Sequence, residues 1–111
     1  MLQRLSEKHP SEFIQIAFDY TEDLVAGEAL VPGSAVITVT VEKGTDGSPN
    51  TLLNGASAIV TSFDGKVGAF NVQPVKLGLD GVEYRFACLM TTTFGNKYMR
   101  QGILPVRRNT P

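Results

Sequence analysis

Residues 79–92 read Leu79-Asp80-Gly81-Val82-Glu83-Tyr84-Arg85-Phe86-Ala87-Cys88-Leu89-Met90-Thr91-Thr92, a glycine turn running into a long apolar strand. Gly81 supplies the positive φ that a tight turn needs. Tyr84 follows three residues later, near the start of a strand expected over Val82–Thr92. A phenol so placed can bond back to upstream backbone and pin a connection between two sheets, the arrangement called a tyrosine corner.

Working outward, Phe94-Gly95-Asn96 turns the chain and Lys97–Val106 returns as a strand. Upstream, Asp64-Gly65 separates Ala58–Phe63 from Lys66–Val75, and that dipeptide predicts a tight hairpin. Pro74 predicts an edge position for the second of these strands. Ala35–Glu42 alternates strictly and is dense in β-branched residues, which disfavours helix. Phe13–Tyr20 also alternates. Thr21-Glu22-Asp23 turns the chain into Leu24–Val31, a weaker segment read as an edge strand, before a turn at Pro32-Gly33. Lys43–Asn50 is a polar loop. Its Asp46, Ser48 and Asn50 have the spacing of calcium-loop ligands, but Thr51 and Ser57 replace the glycine and bidentate glutamate such loops use, so it is read as a plain turn.

About seven strands with regular turn signals predict an all-β fold, an antiparallel sandwich of jelly-roll or immunoglobulin-like order. The segment 1–11 lacks periodicity and carries His9-Pro10, so it is read as an extended N-terminal arm, mobile in the free protein and ordered on docking. The sandwich domain is expected over 12–108, with 109–111 as a short tail.

Composition narrows the function. The 111 residues hold one histidine, one cysteine and no tryptophan, with 42% hydrophobic content and a net charge of −1. His9 stands before a proline in the arm, a poor anchor for a catalytic triad. No phosphate-binding glycine loop and no His/Cys metal spacing occurs. An enzyme is therefore not expected, nor a catalytic residue, a cofactor or a metal. The near-neutral charge argues against general nucleic-acid binding. No apolar run is long enough to cross a membrane, and the first residues do not read as a signal peptide. Cys88, in an apolar run, reads as a buried inert thiol. Tyr20, Tyr84, Tyr98 and Phe94 leave a carbohydrate-stacking platform open as an alternative.

The charges are unevenly spread. Residues 1–30 hold six acids against two bases, and after Glu83 there are five bases and no acid. Lys97, Arg100, Arg107 and Arg108 thus have no acidic neighbour downstream. Either the acidic first segment lies beside them or they await a partner.

Several features taken together resemble a group of small tailed-phage structural proteins with a β-sandwich domain. These are Lys8-x-Pro10-x-Glu12, the run into Phe18-Asp19-Tyr20, Ala35–Val41, Gly81-x-x-Tyr84, Thr91-Thr92-Thr93-Phe94-Gly95 and Val106-Arg107-Arg108. Within that group the chain most resembles the capsid decoration, or staple, proteins of epsilon-fifteen-type short-tailed phages. The resemblance implies a jelly-roll-like sandwich on the outer capsid surface of a virion. It would be bound across neighbouring major capsid proteins, as a homodimer or other homo-oligomer. The expected partner contacts are Lys8, Pro10, Lys97, Arg100, Arg107 and Arg108. The expected structural residues are Tyr84, Gly81, Asp64 and Gly65. A tail or fibre-attachment sandwich is the alternative placement.

Overall fold

Alternating segments become two stacked sheets in the computed structural model, which describes residues 2–5, 7–60 and 70–107. The strands are β1 (Leu2–Arg4), β2 (Ile14–Asp19), β3 (Val36–Lys43), β4 (Ala58–Val60), β5 (Phe70–Val75), β6 (Glu83–Thr91) and β7 (Lys97–Pro105). Six of them form two antiparallel three-stranded sheets, ordered β2-β5-β4 and β7-β6-β3. The short β1 adds to β7 in parallel. A 3-10 turn at Pro49–Leu52 lies in the connection from β3 to β4.

The pairing decides the strand order. Sheet β4-β5-β2 matches D-E-B of an immunoglobulin-like sandwich, and β3-β6-β7 matches C-F-G. The jelly-roll order implied by the phage resemblance is therefore corrected to the immunoglobulin-like one. In constant-type domains strand A completes the first sheet beside B. Here no strand pairs with that side of β2 among the described residues, and the N-terminal segment lies beside β7 instead.

Period-two alternation sends Tyr84, Phe86, Cys88 and Met90 of β6 into the core, while Arg85, Ala87 and Leu89 face outward. Ile16 and Phe18 of β2, Val39 of β3 and Leu104 of β7 meet them from both sheets. Phe86, where antibody domains place a cysteine, is fully buried. Tyr20 closes one end. Its hydroxyl donates to the Cys88 carbonyl at 2.6 Å and ties the segment after β2 to β6. Asn71 and Gln73 of β5 also face inward, satisfied by the Cys88 sulfur and by the Gly55 and Pro74 carbonyls.

Three expectations change. Leu24–Val31 is not a strand: Tyr20 and Val25 carbonyls close turns there, Gly27 takes a positive φ, and only Leu30 bridges to Thr92. That is why the antiparallel strands among the described residues number six rather than seven. The N-terminal segment is extended as expected, but it is part of a sheet rather than a free arm. Leu5 N–H donates to Ile103, Lys8 N–H to Pro105, and Arg107 N–H to Lys8. Finally, β5 is central, not an edge. Pro74 is tolerated because β4 stops opposite Val72 and the Pro74 carbonyl, pointing to that side, takes the Asn54 N–H. The expected hairpin at Asp64-Gly65 lies outside the described residues.

Candidate functional site

One end of the sandwich is a structural lock. Tyr84 is fully buried, and its hydroxyl accepts the Leu79 N–H at 2.9 Å. The same hydroxyl donates to Asp46 Oδ2 at 2.7 Å, while Asp46 Oδ1 accepts the Ser48 N–H. Burial pushes the Tyr84 phenol up to about 12, and the Asp46 carboxylate adds to the effect. Gly81 takes φ 84 and donates its N–H to Val106. The corner therefore joins three segments: the β3–β4 connection, the β5–β6 turn and β6. Asp46 serves it as a hydrogen-bond acceptor and loop cap. A Tyr84→Phe variant is expected to lose about 1–2 kcal/mol, since the Leu79 N–H and Asp46 lose their partner. Urea unfolding checks this, and an unchanged midpoint at unchanged slope refutes it.

The opposite end presents loops. The β2–β3 connection, residues 20–35, lies against the β6–β7 turn, residues 92–96. Val31 N–H donates to Thr91, Thr93 N–H to Ala29, and Ala29 N–H to the Thr93 hydroxyl. Glu28 is the clamp. Its buried carboxylate accepts the Thr92 hydroxyl at 2.5 Å, Asn96 Nδ2 at 3.0 Å and the Val25 N–H at 3.1 Å. The Thr92 hydroxyl and then the Val25 N–H hold this carboxyl below the usual glutamate range, against the opposing effect of burial. On the clamped platform Val25 is 61% exposed and Phe94 is 55% exposed. The Phe94 ring lies over Gly27, where an added Cβ would stand 3.8 Å from Cζ. These are the loop positions that immunoglobulin variable domains use for binding. Solvent-facing aromatic and aliphatic side chains on a braced loop pair are suited to protein contact, because the bracing leaves little loop entropy to be lost on docking.

The basic residues singled out by sequence are mostly occupied within the protein. Lys8 is buried, and Nζ donates to the Leu77 carbonyl at 2.6 Å and the His9 carbonyl at 2.9 Å. Burial lowers its ammonium from the ordinary lysine value, partly offset by Glu12. Pro10 is half-buried in a turn closed by Glu12 N–H to the His9 carbonyl. Arg100 pairs with Asp23, donates to the Asp19 carbonyl and sits 5.4 Å from the Tyr20 ring centroid. Arg107 reaches Glu83 at 3.0 Å. Arg85 forms a forked pair with Glu42. Of the two alternatives read from the sequence, internal pairing holds for Arg100 and Arg107, while Lys8 donates to backbone carbonyls. For Arg100, the acidic first segment does lie beside the basic strand. Lys97 is exposed and makes no ion pair among the described residues. Arg108 lies outside them.

The aromatic platform does not assemble, since Tyr20 and Tyr84 are core residues. Cys88 is buried, and burial raises its thiol pKa. Among the described residues no cluster of three or more His, Cys, Asp or Glu could hold a metal, and no helix is long and apolar enough to cross a membrane. Sequence reading missed Val25 and Glu28 because it assigned both to a strand. No family model matches the chain, and no curated protein matches it.

Proposed function

We propose that this chain is a non-enzymatic structural protein of a virion. It decorates the outer capsid and staples neighbouring major capsid proteins, acting as a homodimer or other homo-oligomer on the shell. The observation that carries the reading is the exposed Val25–Phe94 pair on loops braced by Glu28. A staple needs a rigid body with an adhesive end, repeated many times, so that weak contacts add through effective concentration. The attachment is apolar in this reading, because Arg100 and Arg107 already have carboxylate partners.

The test uses shells assembled from the coat protein and a Val25→Asp, Phe94→Asp double variant. Burying both side chains contributes roughly 3–6 kcal/mol per contact, so shell occupancy is expected to fall at least about tenfold. The melting temperature of the free protein should change little, since neither side chain belongs to the core. Failure of the wild-type protein to bind shells overturns the virion reading. Full occupancy by the double variant overturns the loop end as its contact.

A further inference from the structure

The outer side of β2, with which no strand pairs among the described residues, is a second surface, separate from the loop end. The Asp19 carbonyl points away from β5, because Arg100 Nε donates to it at 3.1 Å. Pro74, opposite Gln15, turns its carbonyl away from β2 towards Asn54. The Gln15–Pro74 and Asp19–Phe70 pairs are therefore non-hydrogen-bonded, and Ala17–Val72 between them must be as well. The N–H groups of Gln15, Ala17 and Asp19, and the carbonyls of Gln15 and Ala17, all face outward along one edge.

That edge is recessed. A groove of about 500 Å³ runs beside it, walled by Ile16, Phe18, Leu5 and Gly102 and closed at one end by Arg100. Gly102, which lines the groove, stands opposite Phe86 on β6. This is where constant-type immunoglobulin domains carry strand A. Arg100 takes one of the bonds that strand would make. A recess of about 500 Å³ has room for the alternate side chains of one extended segment. Charge narrows the occupant further. Asp19 and Glu22 are exposed at the Arg100 end, Glu22 makes no ion pair among the described residues, and Arg100 is already matched by Asp23.

We propose that β2 accepts an extended segment of a partner protein by strand addition, with alternating apolar residues and a lysine or arginine at the end nearest Asp19 and Glu22. Main-chain bonds to Gln15 and Ala17 hold it, and alternate side chains enter the groove beside Ile16 and Leu5. The site is independent of the capsid reading and is tested on the isolated protein.

The probe is a fluorescent peptide of two lysines followed by alternating valine and threonine. Saturable binding is expected with a Kd of about 100 µM or tighter, together with slowed hydrogen exchange at the Gln15 and Ala17 amides. Ala17→Pro removes an edge donor without touching the β2–β5 ladder and should weaken binding at least tenfold. Glu22→Lys should weaken it at least threefold, as should exchange of the two lysines for glutamates. No saturation of wild type by about 1 mM, unchanged exchange at both amides, or equal binding by a folded Ala17→Pro protein overturns the strand site. Equal affinity for the acidic peptide overturns the basic occupant.

Discussion

Replacing Lys8 by alanine is expected to lower the melting temperature by about 10–20 °C, equivalent to roughly 2–4 kcal/mol. A free arm predicts almost no change. The Lys8 stem is buried beneath the loop that follows β5, and its ammonium joins that loop to the N-terminal segment through the Leu77 and His9 carbonyls. Truncation removes the packing of the stem and leaves the Leu77 carbonyl without its donor. It also loosens Lys8 N–H and carbonyl, which bond Pro105 and Arg107 at the end of β7. Lys8→Met separates the contributions. It keeps most of the volume and removes both the hydrogen bonds and a costly buried charge, so it should recover at least half of the loss. Thermal unfolding of the three proteins decides the matter. An alanine variant within about 2 °C of wild type would return the segment to the free arm expected from sequence.

Gly78→Ala is expected to cost about 2–4 kcal/mol. Gly78 takes φ 103, a backbone angle that side-chain-bearing residues rarely adopt. An added Cβ would stand 2.8 Å from Cγ2 and 3.2 Å from Cγ1 of Val106, which is fully buried and has no room to retreat. Gly81→Ala is the control. It shares the positive φ, at 84, but its Cβ would meet nothing within 4 Å. It should cost about 1 kcal/mol from backbone strain alone. Denaturant melts of both variants measure the difference, and equal losses would show that the approach to Val106 is not the cause.

Gly78 shows why part of this protein was readable early and part was not. Turn glycines announce themselves, and Gly81 with Tyr84 predicted a phenol bonded to upstream backbone, which is what Leu79 provides. The strands at Ala35–Glu42, Val82–Thr92 and Lys97–Val106 were legible from local alternation, and β3, β6 and β7 fall within one or two residues of those bounds. Nothing local revealed that Gly78 faces Val106, 28 positions away. Nor did anything local reveal Asp46 as the second partner of Tyr84.

β5 marks the same limit from another side. Hydrophobicity alone would send Phe70 and Val72 inward and Asn71 and Gln73 outward. A strand has a period of two, however, so one register decision places every side chain. Pairing Ile14 with Val75 buries Val75 and brings Asn71 and Gln73 in with it. Their amides then find partners in Cys88, Gly55 and Pro74. Leu24–Val31 failed differently: its apolar residues suggested a strand, but Gly27 and the Glu28 clamp made it a braced loop.

By itself, the sequence determined an antiparallel β-sandwich with a tyrosine corner, because alternation and turn chemistry act over a few residues. Tertiary structure alone decided the immunoglobulin-like order, the open side of β2 and the occupant of each charge. Arg100 meets Asp23 across 77 positions and Arg107 meets Glu83 across 24. Ion pairing depends on distance in space: the stacking of the two sheets brings Asp23 to Arg100, and the pairing of β6 with β7 inside one sheet brings Glu83 to Arg107.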